Sequence, residues 1–438
     1  MTFLGRMFSW SVCLPIVCHF ASAQSPAARP ISIKDAVRLA LRQNPQRLIA
    51  GLVVSERKED QTIARSALLP QAELLAAQGV RSYNLQSISG GRNPVRIGPF
   101  QAISAGPSVY ANLFNLPLLR QYQASREDVR TTTFQETTVR EQITAVIVTE
   151  YLVVLRATAD RDAAAARVEL AQRLFGQAQQ LQRTGVGTDI DTLRAQVELQ
   201  NEKQRLIDAT TQRNTAIYAL GQELALPRGQ DPEPTDTMRF YSLPQLTRQD
   251  LVDEALQKRP EVKALLSAER AAALRAKAAG EQRLPSLELS GSYDFQGRKL
   301  DNGLGAYGYS VGLKIPLWTG GRISAEHKRA TLERERIQQN RRDLENAVEQ
   351  QVKTALDQLN ATRQSVDVAE RGLTLARQEV ERATRRFDAG VATNIEVITA
   401  QSDLARADDN RIEALYRFNQ ARADLARSVG NAEDIYGN

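Results

Sequence analysis

The sequence predicts a duplicated chain of very long coiled-coil helices with four β-strands set between them, strands that can close a barrel only when several copies combine. Three observations carry this reading. Landmarks of the first half recur in order in the second. Proline is absent from 118 to 226 and again after Pro316, leaving room for uninterrupted helices. Short segments between the landmarks alternate apolar and polar residues with period two. Composition agrees. The chain is 42% hydrophobic, too apolar for disorder, and only 5% aromatic, which favours long helices over a compact α/β core. The net charge of +6 is small for 438 residues, and Lys and Arg are interleaved with Asp and Glu. That pattern points to solvated helix faces, and no nucleic-acid partner is expected.

Residues 1–23 read as a secretory signal peptide. Arg6 supplies the positive region, Met7 to Phe20 the apolar region, and Ala21-Ser22-Ala23 the cleavage site before Gln24. Cys13 and Cys18 both lie in this segment, each preceded by a valine rather than the small residue that lipidation favours. A chain starting at Gln24 would hold no cysteine and one histidine, His327. No later run of 18 or more apolar residues is evident, so no transmembrane helix is expected.

The repeat has an offset of 215 residues at its first landmarks (260 − 45) and 205 at the last (390 − 185), because the first half has the longer loop between them. Ile31-Ser32-Ile33-Lys34-Asp35-Ala36-Val37, leading to Pro45, matches Leu246-Thr247-Arg248-Gln249-Asp250-Leu251-Val252, leading to Pro260. Leu69-Pro70 matches Leu284-Pro285. Gly185-Val186-Gly187-Thr188-Asp189-Ile190-Asp191 matches Gly390-Val391-Ala392-Thr393-Asn394-Ile395-Glu396. The expected organisation is a first repeat over 24–226, a Pro-rich linker over 227–245, a second repeat over 246–430 and a polar tail over 431–438. In each half a proline-bracketed helix precedes two strands and a long helical hairpin.

In the second half, Leu287, Leu289, Tyr293 and Phe295 fall on one strand face, opposite Ser286, Glu288, Ser290, Ser292 and Asp294. After Asp301-Asn302-Gly303, residues Tyr307, Tyr309, Val311, Leu313, Ile315 and Leu317 alternate with Gly308, Ser310, Gly312 and Lys314. Strands are expected at about 71–84, 101–114, 286–296 and 306–318. Such lengths cross a bilayer when tilted. A sandwich sheet with one buried face would alternate too, but the chain offers no apolar layer to cover it. Four strands cannot close a membrane barrel, and open edges in lipid are forbidden, so copies must share one. Two copies give eight strands and three give twelve, and a conducting pore favours the larger number.

Arg322 to Asp388 spans 67 residues, about 100 Å of helix. Val366, Leu373, Val380 and Phe387 recur every seven residues, with Ala369, Ala376 and Ala383 three behind, a seam that lets helices approach closely. Ala164, Val168, Ala171, Phe175 and Ala178 form a partial copy. The helix must break at Gly185 and Gly390, with Asp189 and Asn394 placed to start the return helix.

With these pieces in order, the chain resembles the TolC-like outer-membrane efflux protein family. The resemblance covers essentially the whole chain after residue 23. It rests on the Asp35-to-Pro45 opening, the Leu-Pro pairs before the strands, Leu317-Trp318-Thr319-Gly320-Gly321-Arg322, and the Gly-x-x-Thr-x-x-acid tips. It implies a homotrimer with an all-α coiled-coil tunnel and a transmembrane β-barrel of twelve strands, four per subunit. It also implies a place in outer-membrane lipid, and periplasmic adaptor and inner-membrane pump partners in tripartite efflux or type I secretion. By the same resemblance Gly185, Thr188, Gly390 and Thr393 would face the adaptor, and Asp191 and Glu396 would set ion preference at the periplasmic entrance. Both acids are also what a helix start favours. Leu287, Leu289, Tyr293, Tyr309, Val311 and Leu313 would face lipid. The tips depart from the family at Thr399, Ala392 and Phe387, where polar groups occur in relatives.

No catalytic residue, metal site or cofactor is expected. One histidine between Glu326 and Lys328 cannot serve a triad or a zinc site, and no P-loop or dinucleotide fingerprint occurs. A coiled-coil adaptor and a structural envelope protein are the other classes the helices alone would allow.

Overall fold

The computed structural model describes residues 29–84, 86, 94–185, 187–241, 247–299, 301–389 and 391–437. The expected signal peptide, Gly390 and Asn438 lie outside the described residues. The first half runs β1 (Arg29–Ile31), α1 (Ile33–Gln43), α2 (Pro45–Ser66), β2 (Gln71–Asn84), β3 (Arg96–Phe114), α3 (Leu116–Arg183) and α4 (Asp189–Glu223). After β4 (Pro232–Pro234) the second half runs α5 (Arg248–Lys258), α6 (Pro260–Glu281), β5 (Ser286–Gly297), β6 (Leu304–Lys314), α7 (Arg322–Asp388) and α8 (Asn394–Val429). A short helix, α9 (Ala432–Tyr436), closes the chain.

Local chemistry explains the boundaries. The Ser32 hydroxyl accepts from the Asp35 N–H at 3.2 Å and starts α1. Pro45 forces Asn44 out of the helical region, and the Asn44 side chain then accepts from Gln46 N at 2.9 Å to start α2. Arg259 before Pro260 divides α5 from α6 in the same way. Asn115 caps α3 through Leu118 N at 3.2 Å.

The long helices are held by two related cores. In one, Val37 and Ala40 of α1 meet Ile147, Tyr151 and Val154 of α3 and Leu220 of α4. In the other, Val252 and Ala255 of α5 meet Val348 and Val352 of α7 and Phe418 of α8. The heptad seam of α7 is buried at Val366, Leu373, Ala376 and Ala383. Its first-half copy is buried at Ala164, Ala171 and Ala178.

Four expectations need correction. First, α3 does carry one stretch apolar enough to cross a membrane. Its residues Ile143, Ile147, Val148 and Leu152 are core residues packed with α1, α4, α8 and α9. Second, β3 begins at Arg96 rather than 101, because its pairing with β2 continues past an irregularity between Arg81 and Tyr83 that breaks the alternation. β6 stops at Lys314 rather than 318, since Pro316 has no N–H for a ladder. Third, residues 227–245 are not a bare linker. Pro232–Pro234 pairs in parallel with Arg29–Ile31, and the Tyr151 hydroxyl sits 2.7 Å from Asp236 Oδ2 and 2.9 Å from the Ile31 carbonyl. Asp236 also accepts from Ile33 N at 2.8 Å. Burial, reinforced by the Asp236 hydrogen bond, pushes the Tyr151 phenol well above its ordinary range. Fourth, the tail is not simply polar. Ala432 and Tyr436 are buried, and the Glu141 carboxylate accepts from the N–H groups of Ala432 at 3.1 Å and Glu433 at 3.3 Å.

Candidate functional site: the sheet, the flanks and the helical tips

The four long strands form one antiparallel sheet in the order β2-β3-β5-β6, so β2 and β6 are its edges. Register fixes the faces. Ala111, Leu289 and Val311 share one row, Phe114, Leu287 and Leu313 another, and Tyr293 lies opposite Tyr307 and Gly291 opposite Tyr309. Leu287, Leu289, Tyr293, Tyr309, Val311 and Leu313 therefore lie on a single face. The other face carries the row Glu73-Ser108-Ser292-Gly308. There Ser108 donates to Glu73 at 3.2 Å, and the Ser290 and Ser310 hydroxyls meet at 2.8 Å. Aromatic side chains of β5 lie diagonally over two glycines at the start of β6. A Cβ on Gly303 would fall 1.8 Å from the Phe295 ring, and one on Gly305 would fall 2.4 Å from the Tyr293 hydroxyl.

Among the described residues both edges of the sheet are unpaired, and the helices repeat that arrangement. Beside the sheet the helices pack in the order α2-α3-α6-α7, and towards the tips in the order α4-α3-α8-α7. At every level the first half supplies one flank (β2, α2, α4) and the second half the other (β6, α7). Each flank exposes apolar side chains. Leu48, Ile49, Leu52 and Ile63 do so on α2, Ile190, Leu193, Val197 and Ile207 on α4, and Leu332, Val368 and Leu375 on α7.

At the first tip Gly185 takes φ 77°, a conformation that costs glycine little and lets the chain reverse. Gly187 N then bonds Leu181 O at 3.0 Å. Thr188, not Asp189, is the N-cap. Its hydroxyl accepts from Asp191 N at 3.3 Å and donates back to the Asp191 carboxylate, while Asp189 accepts from Gln182 Nε2 at 3.0 Å. At the second tip Thr393 is the N-cap without a side-chain bond. Glu396 instead pairs with Arg386 at 3.0 Å, and Asp191 has Arg194 at 3.8 Å. Sequence reasoning missed Arg386, since no base lies between Gly390 and Glu396. The signal available was that the last turn of a helix favours a base. Gln177 donates to Asp388 at 2.8 Å and joins the two hairpins, and Leu174 reaches the small core of Ala383, Val397 and Phe387. Gly390 itself lies outside the described residues.

His327 is exposed and lies over Gly280. Among the described residues no group of three or more His, Cys, Asp or Glu could hold a metal ion.

A lipid-lengthed sheet with one apolar and one polar face, carried on helical hairpins of this length, defines an outer-membrane channel-tunnel subunit. The family described as "Outer membrane efflux protein" matches residues 36–225 and 251–431. The chain belongs to that family. Its place is the outer membrane of Gram-negative bacteria, where it is an efflux channel protein and not an enzyme. A curated relative, "Outer membrane protein TolC" of Vibrio cholerae, is 24% identical over 405 residues, 90% of this chain and 90% of the relative. The fold is that of a membrane protein from Pseudomonas aeruginosa (TM-score 0.77, 17% identity, covering 91% of this chain and 93% of that one). It is equally that of the open state of the MtrE outer membrane channel of Neisseria gonorrhoeae (TM-score 0.77, 17% identity, covering 91% and 89%).

Proposed function

We propose that three copies of this chain assemble head to tail into a passive duct from periplasm to exterior, serving a tripartite efflux or type I secretion system. The observation that carries the reading is the segregation of the flanks. A first-half flank and a second-half flank differ, so one copy's β6 and α7 can meet the next copy's β2, α2 and α4. A contact of that kind closes into a ring when it turns each copy by a third of a circle. Three copies bring twelve strands, which removes every edge, and twelve helices at each level of the tunnel. The face bearing Leu287, Leu289, Tyr293, Tyr309, Val311 and Leu313 then meets lipid, and the Glu73-Ser108-Ser292 row lines the lumen.

In this assembly the hairpin tips form the periplasmic entrance. Gly185, Thr188, Gly390 and Thr393 face an adaptor that joins the duct to an inner-membrane pump, and Asp191 and Glu396 ring the aperture. Size-exclusion chromatography with light scattering on detergent-extracted protein, followed by planar-bilayer recording, tests the duct directly. Three chains per particle and discrete conductance steps are expected; a monomer without conductance would refute it.

A further inference from the structure

Between the two hairpins, where α3, α4, α7 and α8 come together, lies a cavity of about 170 Å³. Leu170, Leu373 and Leu404, one each from α3, α7 and α8, supply its apolar walls. Glu202 of α4 lines it with only 5% of its surface exposed. Arg205 takes one carboxylate oxygen of Glu202; the other, Oε2, is buried with no hydrogen-bond partner. Gln401 of α8 lines the same space, and its Nε2 is likewise buried without a partner.

A buried carboxylate oxygen without a donor is costly, and the strongest remedy is a charge-assisted hydrogen bond. The charges around the cavity favour a cation. Glu198, Glu202 and Asp408 face Arg167 and Arg377, and Arg167 is already engaged by Asp409 and by the Ala405 carbonyl at 3.3 Å. A metal ion fits poorly, because Glu202 offers one free oxygen and no metal-holding cluster occurs among the described residues. Size sets the rest: a cavity of about 150 Å³ has room for benzene.

We propose that this cavity binds a small primary ammonium ion with an apolar, preferably aromatic, body of about six to eight non-hydrogen atoms. The ammonium donates to Glu202 Oε2, the leucines enclose the body, and an aromatic face accepts the Gln401 amide N–H. Because Glu202 belongs to the first hairpin and Gln401 to the second, an occupant ties the two together. Every lining residue named here comes from one chain.

Benzylammonium is the probe, with benzyl alcohol as its uncharged counterpart. Each is titrated calorimetrically into the full-length mature protein in detergent, with empty micelles as the blank. Saturable binding of one benzylammonium per chain is expected, at least tenfold tighter than benzyl alcohol. Glu202→Gln should weaken it at least tenfold while keeping the circular dichroism spectrum, and benzylammonium should raise the melting midpoint of the wild type but not of Glu202→Gln. Ala405→Leu, which fills the cavity, should abolish binding; if that variant does not fold, Ser402→Leu serves. Heat no greater than the micelle blank would overturn the proposal. So would equal affinity for benzyl alcohol, or wild-type affinity in Glu202→Gln.

Discussion

Arg386 Nε lies 3.0 Å from the Glu396 carboxylate, so the acid at the second tip is met by a base reaching across the turn from the preceding helix. Both side chains are about half exposed, which makes the pair worth little to stability and therefore safe to alter. It bears directly on ion preference, since a ring of acids favours cations only to the extent that it is not neutralised. Arg386→Gln should raise the cation preference of the duct. Asp191→Asn with Glu396→Asn should lower it, with assembly intact. Reversal potentials in a salt gradient measure both, and unchanged potentials in both variants would place the selective ring elsewhere.

The two faces of the sheet should respond oppositely to charge. Leu289→Arg or Leu313→Arg places a cation in lipid, a cost of about 2–4 kcal/mol near the bilayer midplane. Ser290→Arg or Ser310→Arg places it in the lumen. The first pair should fail to accumulate as folded protein in outer-membrane fractions and the second pair should succeed. Equal yields would contradict the assignment of faces.

Charge on a flank should separate the subunits without unfolding them. Ile49 and Leu52 of α2 are 59% and 64% exposed in the single chain, so Ile49→Glu with Leu52→Glu removes little from its own core. Light scattering should report monomers with helical content unchanged, while Lys58→Glu on the same helix, as control, should leave the oligomer whole.

Tyr151→Phe removes the hydroxyl that joins β1 to the segment between the halves. The Ile31 carbonyl keeps the Thr235 N–H at 3.1 Å, so the loss is that of an ordinary hydrogen bond, about 0.5–1.5 kcal/mol. Limited trypsin digestion should cut at Arg239 faster in the variant than in the wild type. Identical cleavage rates would mean that the β1–β4 pairing alone holds the segment.

Glu141 gives a pH test. Burial holds its carboxyl above the usual carboxylate range, against the pull of the two N–H groups of α9. Folding thus favours the protonated form. Its contribution is full below the unfolded value of about 4.3 and is lost as pH rises through the raised folded value. Between pH 7 and pH 4 the melting midpoint of the wild type should therefore gain on that of Glu141→Gln. A gain in the opposite direction would show that the backbone hydrogen bonds outweigh burial.

What the sequence disclosed was what depends on local pattern. Heptad spacing and the absence of proline placed the helix Arg322–Asp388, and the proline brackets placed α2 and α6, because caps and periodicity act within a few residues. Alternation gave the faces of β5 and β6 for the same reason. It faltered at β3, where an irregularity shifts the phase, and past Pro316, where apolar residues continue without a ladder. The features that escaped notice join residues far apart in the chain. The pairing of Arg29–Ile31 with Pro232–Pro234, the burial of α9 against Glu141, and the Gln177–Asp388 bond leave no periodic trace. The Arg386–Glu396 pair spans only ten residues, but the turn between them hides it from any helical spacing rule.

The segment between the halves has a kinetic meaning in the proposed ring of three. Going round that ring, seams between first-half and second-half elements alternate, one made inside a chain by β3 with β5 and α3 with α6, the next made between chains. Six separate half-length chains would need five encounters, each at the dilute concentration of free protein in the envelope, before the ring could close. A short tether, fastened at β4 and Asp236, holds every second pair at an effective concentration in the mM range. Two encounters and a ring closure then suffice, and the yield of closed rings depends on the third power of subunit concentration rather than the sixth.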